Sequence, residues 1–139
     1  MMKKWKVIEE ENIADLTVEV LGDNKKDLLN NVITVFASLI TDVDKLKETE
    51  QLKNVEIKGE NFEVIIFNFV EKLIYFKDAQ FLLFKKGEFK VGNKKIIANL
   101  FGQKITNELP IKIDIKALTK HKFKVRKNKF YKVFMVFDI

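Results

Sequence analysis

Two stretches of the chain place apolar residues three and four apart, and most of the rest alternates. Leu28, Leu29, Val32, Ile33, Phe36, Leu39 and Ile40 repeat with the helical period, and Asp23 or Asn24 stands where a helix cap belongs. Phe62, Ile65, Ile66, Phe69, Val70, Leu73 and Ile74 form a second stripe, expected to start near Glu60 or Asn61 and to end at Lys77-Asp78. Elsewhere the period is two. Trp5 to Ile8 predicts a first strand, turned by the acidic run Glu9-Glu10-Glu11-Asn12. Leu16, Val18 and Val20 then alternate with Thr17 and Glu19. Asp42 to Gln51 is polar and predicts a loop; Leu52, Val55 and Ile57 predict a short strand. Phe81 to Val91 and Lys94 to Phe101 flank Gly92-Asn93, a hairpin turn. Asp114 to Val125 and Phe130 to Phe137 flank Arg126 to Lys129, a second hairpin. The fold class predicted is α+β, with two helices packed on a largely antiparallel sheet of six or seven strands.

Composition narrows this picture. The 139 residues contain no Pro-, Gly- or Ser-rich linker and no repeat, so one domain over 1–139 is expected. Apolar residues make up 47%, including 13 Phe, which excludes disorder. The absence of Cys excludes disulfides, thiol catalysis and cysteine metal sites, and suits a reducing cytoplasm. No apolar run reaches the roughly 18 residues of a membrane span. The basic start, Met1-Met2-Lys3-Lys4-Trp5-Lys6, lacks the apolar segment of a signal peptide. A cytoplasmic protein is expected. The net charge of +6, from 26 basic and 20 acidic residues, fits loose attraction to nucleic acid. Lys is spread along the chain and Arg126 is the only Arg, so a solvated basic surface is expected ahead of a dedicated RNA groove.

The usual catalytic signatures are missing: no Gly-rich phosphate loop, no GxSxG, no HExxH, and a single His. An ordinary enzyme is not expected. Two acids stand out instead. Asp15 lies between apolar neighbours in Ile13-Ala14-Asp15-Leu16, where a carboxylate entering a strand needs a partner. Asp138 closes the apolar run Phe130-Tyr-Lys-Val-Phe-Met-Val-Phe-Asp-Ile139, which reads as a terminal strand built into a sheet. That strand would fix Asp138 beside the terminal carboxylate of Ile139. If Asp15 and Asp138 meet in space, their oxygens suit a hard cation such as Mg²⁺ or Ca²⁺. His121, in Thr119-Lys120-His121-Lys122-Phe123, and Lys116, in Ile115-Lys116-Ala117-Leu118, each read alone as surface residues.

Three segments in order resemble the archease family. Asn12-Ile13-Ala14-Asp15-Leu16 is similar to its His-Thr-Ala-Asp-Ile signature. Asp114-Ile115-Lys116-Ala117-Leu118-Thr119-Lys120-His121 is similar to its Glu-Ile-Lys-Ala-Val-Thr-Tyr-His stretch. Val136-Phe137-Asp138-Ile139 resembles its common ending on Asp-Ile, and Gly59-Glu60-Asn61-Phe62 with the following helix matches its second helix. The order and spacing hold over essentially the whole chain. The resemblance implies a non-enzymatic activator of an RtcB-type RNA ligase. Such a ligase joins a 2′,3′-cyclic phosphate or 3′-phosphate end to a 5′-hydroxyl in tRNA splicing and RNA repair, after taking GMP from GTP onto its own histidine. An activator of this kind promotes the guanylylation and repeated turnover, with GTP used by the ligase and not by this chain. RNA is then a partner only indirectly, through the ligase. The resemblance also implies a divalent metal ion, Ca²⁺ or Mg²⁺/Mn²⁺, held by Asp15, Asp138 and Ile139, with Lys116 and Asn12 in support or in ligase contact.

The departures from the family pattern are local. Asn12 and Ile13 replace the signature His and Thr. Asn12 still hydrogen-bonds but does not titrate near neutrality, and Ile13 lacks the hydroxyl. Lys120 replaces the Tyr before His121, Phe69 a common Trp, Gly102-Gln103-Lys104 a Gly-Glu-Pro stretch, and Leu109 a His. The alternative readings are a small basic module that binds RNA itself, and a chaperone-like helper of RNA-processing enzymes. The Phe-rich strands and the charge favour the former, although alternation assigns most Phe to the core.

Overall fold

The computed structural model describes residues 5–12 and 15–139, without the side chains of residues 8–12. In chain order the elements are β1 (Trp5–Asn12), β2 (Asp15–Gly22), α1 (Lys25–Ile40), a 3-10 turn (Val43–Lys45), β3 (Glu50–Lys58), α2 (Phe62–Gln80), β4 (Leu82–Val91), β5 (Lys95–Lys104), β6 (Ala117–Leu118), β7 (Lys124–Lys127) and β8 (Tyr131–Asp138).

Each helix starts where a side chain can take an orphan backbone donor. The Asn24 side chain accepts from the Asp27 N–H at 2.9 Å, and the Asn61 side chain from the Val64 N–H at 3.0 Å. The stripe read from the sequence is the buried face in both helices. α2 runs past Lys77-Asp78 to Gln80, because Phe76 and Lys77 are still buried there and the chain reverses only at Phe81, in the left-handed region at φ 56°. The end of α1 is fastened by Thr41, whose hydroxyl donates to the Pro110 carbonyl at 2.6 Å.

The strands form two sheets rather than one, and every pairing among the described residues is antiparallel. The larger has five strands in the order β1-β2-β8-β6, with β7 also pairing β8; the smaller has the order β3-β5-β4. α1 packs on β2 of the first and β4 of the second, so it joins them. The core is continuous across that joint: Val18, Val20 and Phe137 from one sheet, Ile96, Ala98 and Leu100 from the other, and the helical stripes between. Phe rings fill it edge to face, with Phe69 5.6 Å from Phe89 and Phe76 5.7 Å from Phe84.

Three local expectations change. Glu9 to Asn12 does not turn the chain; it continues β1, which bulges twice on its way along β2. The polar segment from Asp42 is interrupted by the 3-10 turn, and β3 is longer than expected, with Asn54 at φ 57° marking a bulge. Asp114 to Val125 is not one strand. Only Ala117–Leu118 and Lys124–Lys127 pair with β8, and the chain between them passes through Lys122 at φ 62°, which a straight strand cannot accommodate. No helix of the described residues is long and apolar enough to cross a membrane.

Candidate functional site

The alternation of β2 decides which of its residues are available. Leu16, Val18 and Val20 point into the core, so Asp15, Thr17 and Glu19 share the opposite face. β8 lies beside β2 with Asp138 directly opposite Asp15, Val136 opposite Thr17 and Phe134 opposite Glu19. On the other flank of β8, Ala117 stands opposite Asp138, and Asn12 of β1 stands opposite Asp15. Four strands thus bring Asn12, Asp15, Asp138 and Ala117 into one row at one end of the larger sheet. The backbone fixes it: the Lys116 N–H donates to the Asp138 carbonyl at 2.8 Å and the Thr119 N–H to the Val136 carbonyl at 3.0 Å.

Directly opposed residues of an antiparallel pair share a face, with Cβ atoms roughly 5 Å apart. Asp15 and Asp138, both half-buried, are such a pair. Two like charges facing each other across strands destabilise the sheet unless something positive offsets them. Ile139, half-buried and packed against the core, follows at once. Among the described residues no group of three or more His, Asp, Glu or Cys converges anywhere. The donor set here is therefore small and all oxygen, which matches hard cations rather than zinc. It also falls short of the six to eight ligands such cations take, leaving positions for water or for groups from another molecule.

The remaining candidates sort by distance from this row. Lys116 adjoins it through its backbone, and its side chain is exposed. The backbone of Asn12 is in the row; its side chain, and Ile13 and Ala14 altogether, lie outside the described residues. His121 is exposed in the loop between β6 and β7, where its carbonyl accepts from the Thr119 hydroxyl at 3.3 Å.

Three features were not singled out in the sequence. Thr17, two positions along the same face from Asp15, is 7% exposed, and its hydroxyl has no hydrogen-bond partner among the described residues. Lys77 is buried in α2 at 6% exposure. It donates to Asp114 at 2.8 Å and to Asp78, and so ties α2 to the segment that delivers Lys116 and Ala117 to the row. Its position seven after Val70 and four after Leu73, on the apolar stripe, was the available signal. A cleft of about 380 Å³ lies against α2, lined by Glu63, Val64, Phe67, Asn68, Glu71, Lys120 and Phe123; it shares no residue with the carboxylate row.

These features define a small two-sheet α+β protein whose distinctive surface is a carboxylate row at a sheet end. Residues 5–139 match the model of the Archease protein family (MTH1598/TM1083). The chain is 32% identical over 133 residues to protein archease of Archaeoglobus fulgidus, covering 93% of this chain and 96% of that one. It is 30% identical over 131 residues to protein archease of Pyrococcus abyssi, covering 91% and 90%. The solution structure of protein 1598 of Methanobacterium thermoautotrophicum superposes with a TM-score of 0.80 at 18% identity, over 99% of this chain and 100% of that one. The crystal structure of a Thermotoga maritima archease, described as a possible chaperone, superposes at 0.65 with 21% identity, over 100% and 98%. The chain belongs to the archease family.

Proposed function

We propose that this protein activates an RtcB-type, GTP-dependent RNA ligase without catalysing a reaction itself, by bringing the carboxylate row to the ligase during guanylylation. The observation that carries the reading is the register of β2 against β8, which sets Asp15 opposite Asp138 with Ile139 next in the chain. Asp15 and Asp138, with Ile139 beside them, would hold a divalent cation, Ca²⁺ or Mg²⁺/Mn²⁺, and such a cation neutralises triphosphate charge. The chain's own part is to fix the two carboxylates in one row, to keep them half-buried, and to leave the outer side of the row open to a partner. Lys116, exposed beside the row, is suited to contact the ligase or its nucleotide.

The test is multiple-turnover ligation with the cognate ligase limiting, RNA ends in excess, GTP and Mn²⁺. Wild-type protein should raise the number of turnovers, and Asp138→Ala and Asp15→Ala should abolish the effect while keeping the wild-type melting temperature within a few degrees. Undiminished stimulation by both folded variants would falsify the role given to the row. No stimulation by wild type would remove the activator reading itself. It would then favour the chaperone-like alternative, which predicts suppression of ligase aggregation instead.

A further inference from the structure

Lys occurs along the whole chain, but the acids do not, so the net charge is not spread evenly. Between Asp114 and Asp138 there are seven Lys, Arg126 and His121, and no acid. Of the 26 basic residues, 8 fall in this stretch; the other 18 are matched by the chain's 20 acids. The excess positive charge therefore resides in this stretch, with Lys116 just before β6, two Lys in the loop between β6 and β7, three basic residues in β7, Lys129 in the turn and Lys132 in β8. Lys124, Arg126, Lys127 and Lys129 are exposed, and none has a carboxylate partner among the described residues. Acids meet the stretch at its margins. Glu19 takes Lys132 at 3.7 Å, Glu63 accepts from the Val125 N–H at 2.9 Å, and Glu63 and Glu71 share a cleft with Lys120.

We infer that this basic hairpin binds the phosphodiester backbone of single-stranded RNA. Choosing RNA as the polyanion rests on the ligase-activator reading, which supplies an RNA substrate; the binding itself does not require the ligase. An edge strand often carries Lys to block pairing with other sheets, but one or two serve that purpose. Here the positive run continues through the turn and the loop, which offer no edge. Protein–protein interfaces deplete Lys relative to Arg and aromatic residues, whereas a phosphate track needs only positive charges in a line. Lys124 stands opposite Phe134 and Arg126 opposite Lys132, so alternation along β8 puts them on the face that carries Asp138. Along β8, Lys132 to Asp138 is roughly 20 Å at the rise of a strand, so a phosphate track at the basic end stays clear of the carboxylate row. Phe130, 40% exposed at the turn, offers a ring on which a base can stack.

The experiment is fluorescence anisotropy of a labelled 12-nucleotide oligo-uridine with the protein alone, between 50 and 300 mM KCl. With four contacts the logarithm of affinity should fall against the logarithm of salt with a slope of roughly −3, at about −0.7 per phosphate for single strands. The variant K124Q/R126Q/K127Q/K129Q should bind roughly 100-fold more weakly at 100 mM KCl, with a nearly flat salt dependence. The variant K45Q/K47Q/K53Q/K58Q removes the same charge elsewhere and should stay within about threefold of wild type, since it touches no phosphate. F130S should weaken binding without changing the slope. Should the hairpin variant be unstable, K127Q/K129Q at the turn alone should flatten the slope by about 1.4. No binding by wild type at 50 mM KCl overturns the inference, as does equal loss in the two charge variants, which would make net charge the cause. A hairpin variant that keeps RNA affinity but no longer stimulates the ligase overturns it too, and assigns the hairpin to a protein contact. Failure of the activator reading shows only in the ligation assay, so the two outcomes are separable.

Discussion

Lys77 holds together two parts of the molecule that the carboxylate row depends on, and its energetics can be worked through. Its side chain is 6% exposed, while its partners Asp78 and Asp114 are 55% and 66% exposed. Removing either acid returns nothing charged to the interior and leaves the ammonium one carboxylate, so Asp78→Ala or Asp114→Ala should each cost about 0.5–1 kcal/mol. Removing both leaves a cation at 6% exposure with no counter-charge. That should cost about 3 kcal/mol or more, well above the sum of the single changes. With an unfolding entropy near 2.1 cal/mol/K per residue, a chain this long loses about 3–4 °C of melting temperature per kcal/mol. The single variants should melt about 2–3 °C low and the double variant about 10 °C low, in calorimetry at pH 7. The sign of the pH dependence follows from the same contacts. Burial alone pulls the Lys77 pKa down, but the hydrogen bonds to Asp114 and Asp78, with their charges, outweigh it and raise the pKa above 10.5. A raised cationic pKa means the stabilisation is complete below 10.5 and is lost as pH climbs through the folded-state value. Lys77→Met should therefore lose the part of the wild-type stability curve that falls away above that pH. Additive behaviour of Asp78→Ala and Asp114→Ala, to within about 0.3 kcal/mol, would refute the reasoning, because it would mean the unpaired ammonium finds water.

Three further outcomes are expected. Gly102→Ala would place a Cβ 1.9 Å from the Leu83 carbonyl oxygen and should cost about 3 kcal/mol or abolish folding, whereas Gly92→Ala, whose nearest neighbour is the Lys95 carbonyl at 3.2 Å, should change stability by less than about 1 kcal/mol; chemical denaturation of the pair checks this. Thr17→Val removes a buried hydroxyl that has no partner and should raise stability by about 1 kcal/mol in the same assay. Calcium at about a hundred times its dissociation constant should stabilise wild-type protein by about 2.7 kcal/mol in a thermal-shift titration, and this gain should vanish in Asp15→Asn and Asp138→Asn; a melting temperature indifferent to both Ca²⁺ and Mn²⁺ would count against a metal at the row.

Features set by near neighbours were legible in the sequence. The stripes of both helices, a cap for α1 at Asp23 or Asn24, the start of α2 near Glu60 or Asn61 and the Gly92-Asn93 hairpin turn follow from short-range periodicity and cap chemistry, and the structure reproduces them, with Asn24 as the first cap. Asp15 and Asp138 each stood out by local pattern, yet their meeting depends on β2 pairing with β8 from the other end of the chain, which no local rule gives. The division into two sheets was hidden for the same reason. Glu9 to Asn12 reads as a turn because acids disfavour strands, but pairing along β2 overrides that preference. The break in the last hairpin comes from one left-handed residue, Lys122, whose side chain gives no sign of it. Lys77 shows the opposite failure: its place on the apolar stripe was visible, but a lysine invites assignment to the surface.

The pairing of β2 with β8 also bears on the order in which the molecule assembles. The smaller sheet contains a direct β4–β5 hairpin, with β3 added across α2, so its loops are short. The larger sheet must close a loop spanning nearly the whole chain before Asp15 can face Asp138. Loop-closure entropy and the slow formation of non-local strand pairs put that step late in folding. Native-state hydrogen exchange would then resolve two cooperative units, with amides of β2 and β8 opening at lower free energy than those of β4 and β5. The carboxylate row would exist only in molecules that have completed the last step, and a partner that reads the row would engage fully assembled protein and pass over intermediates.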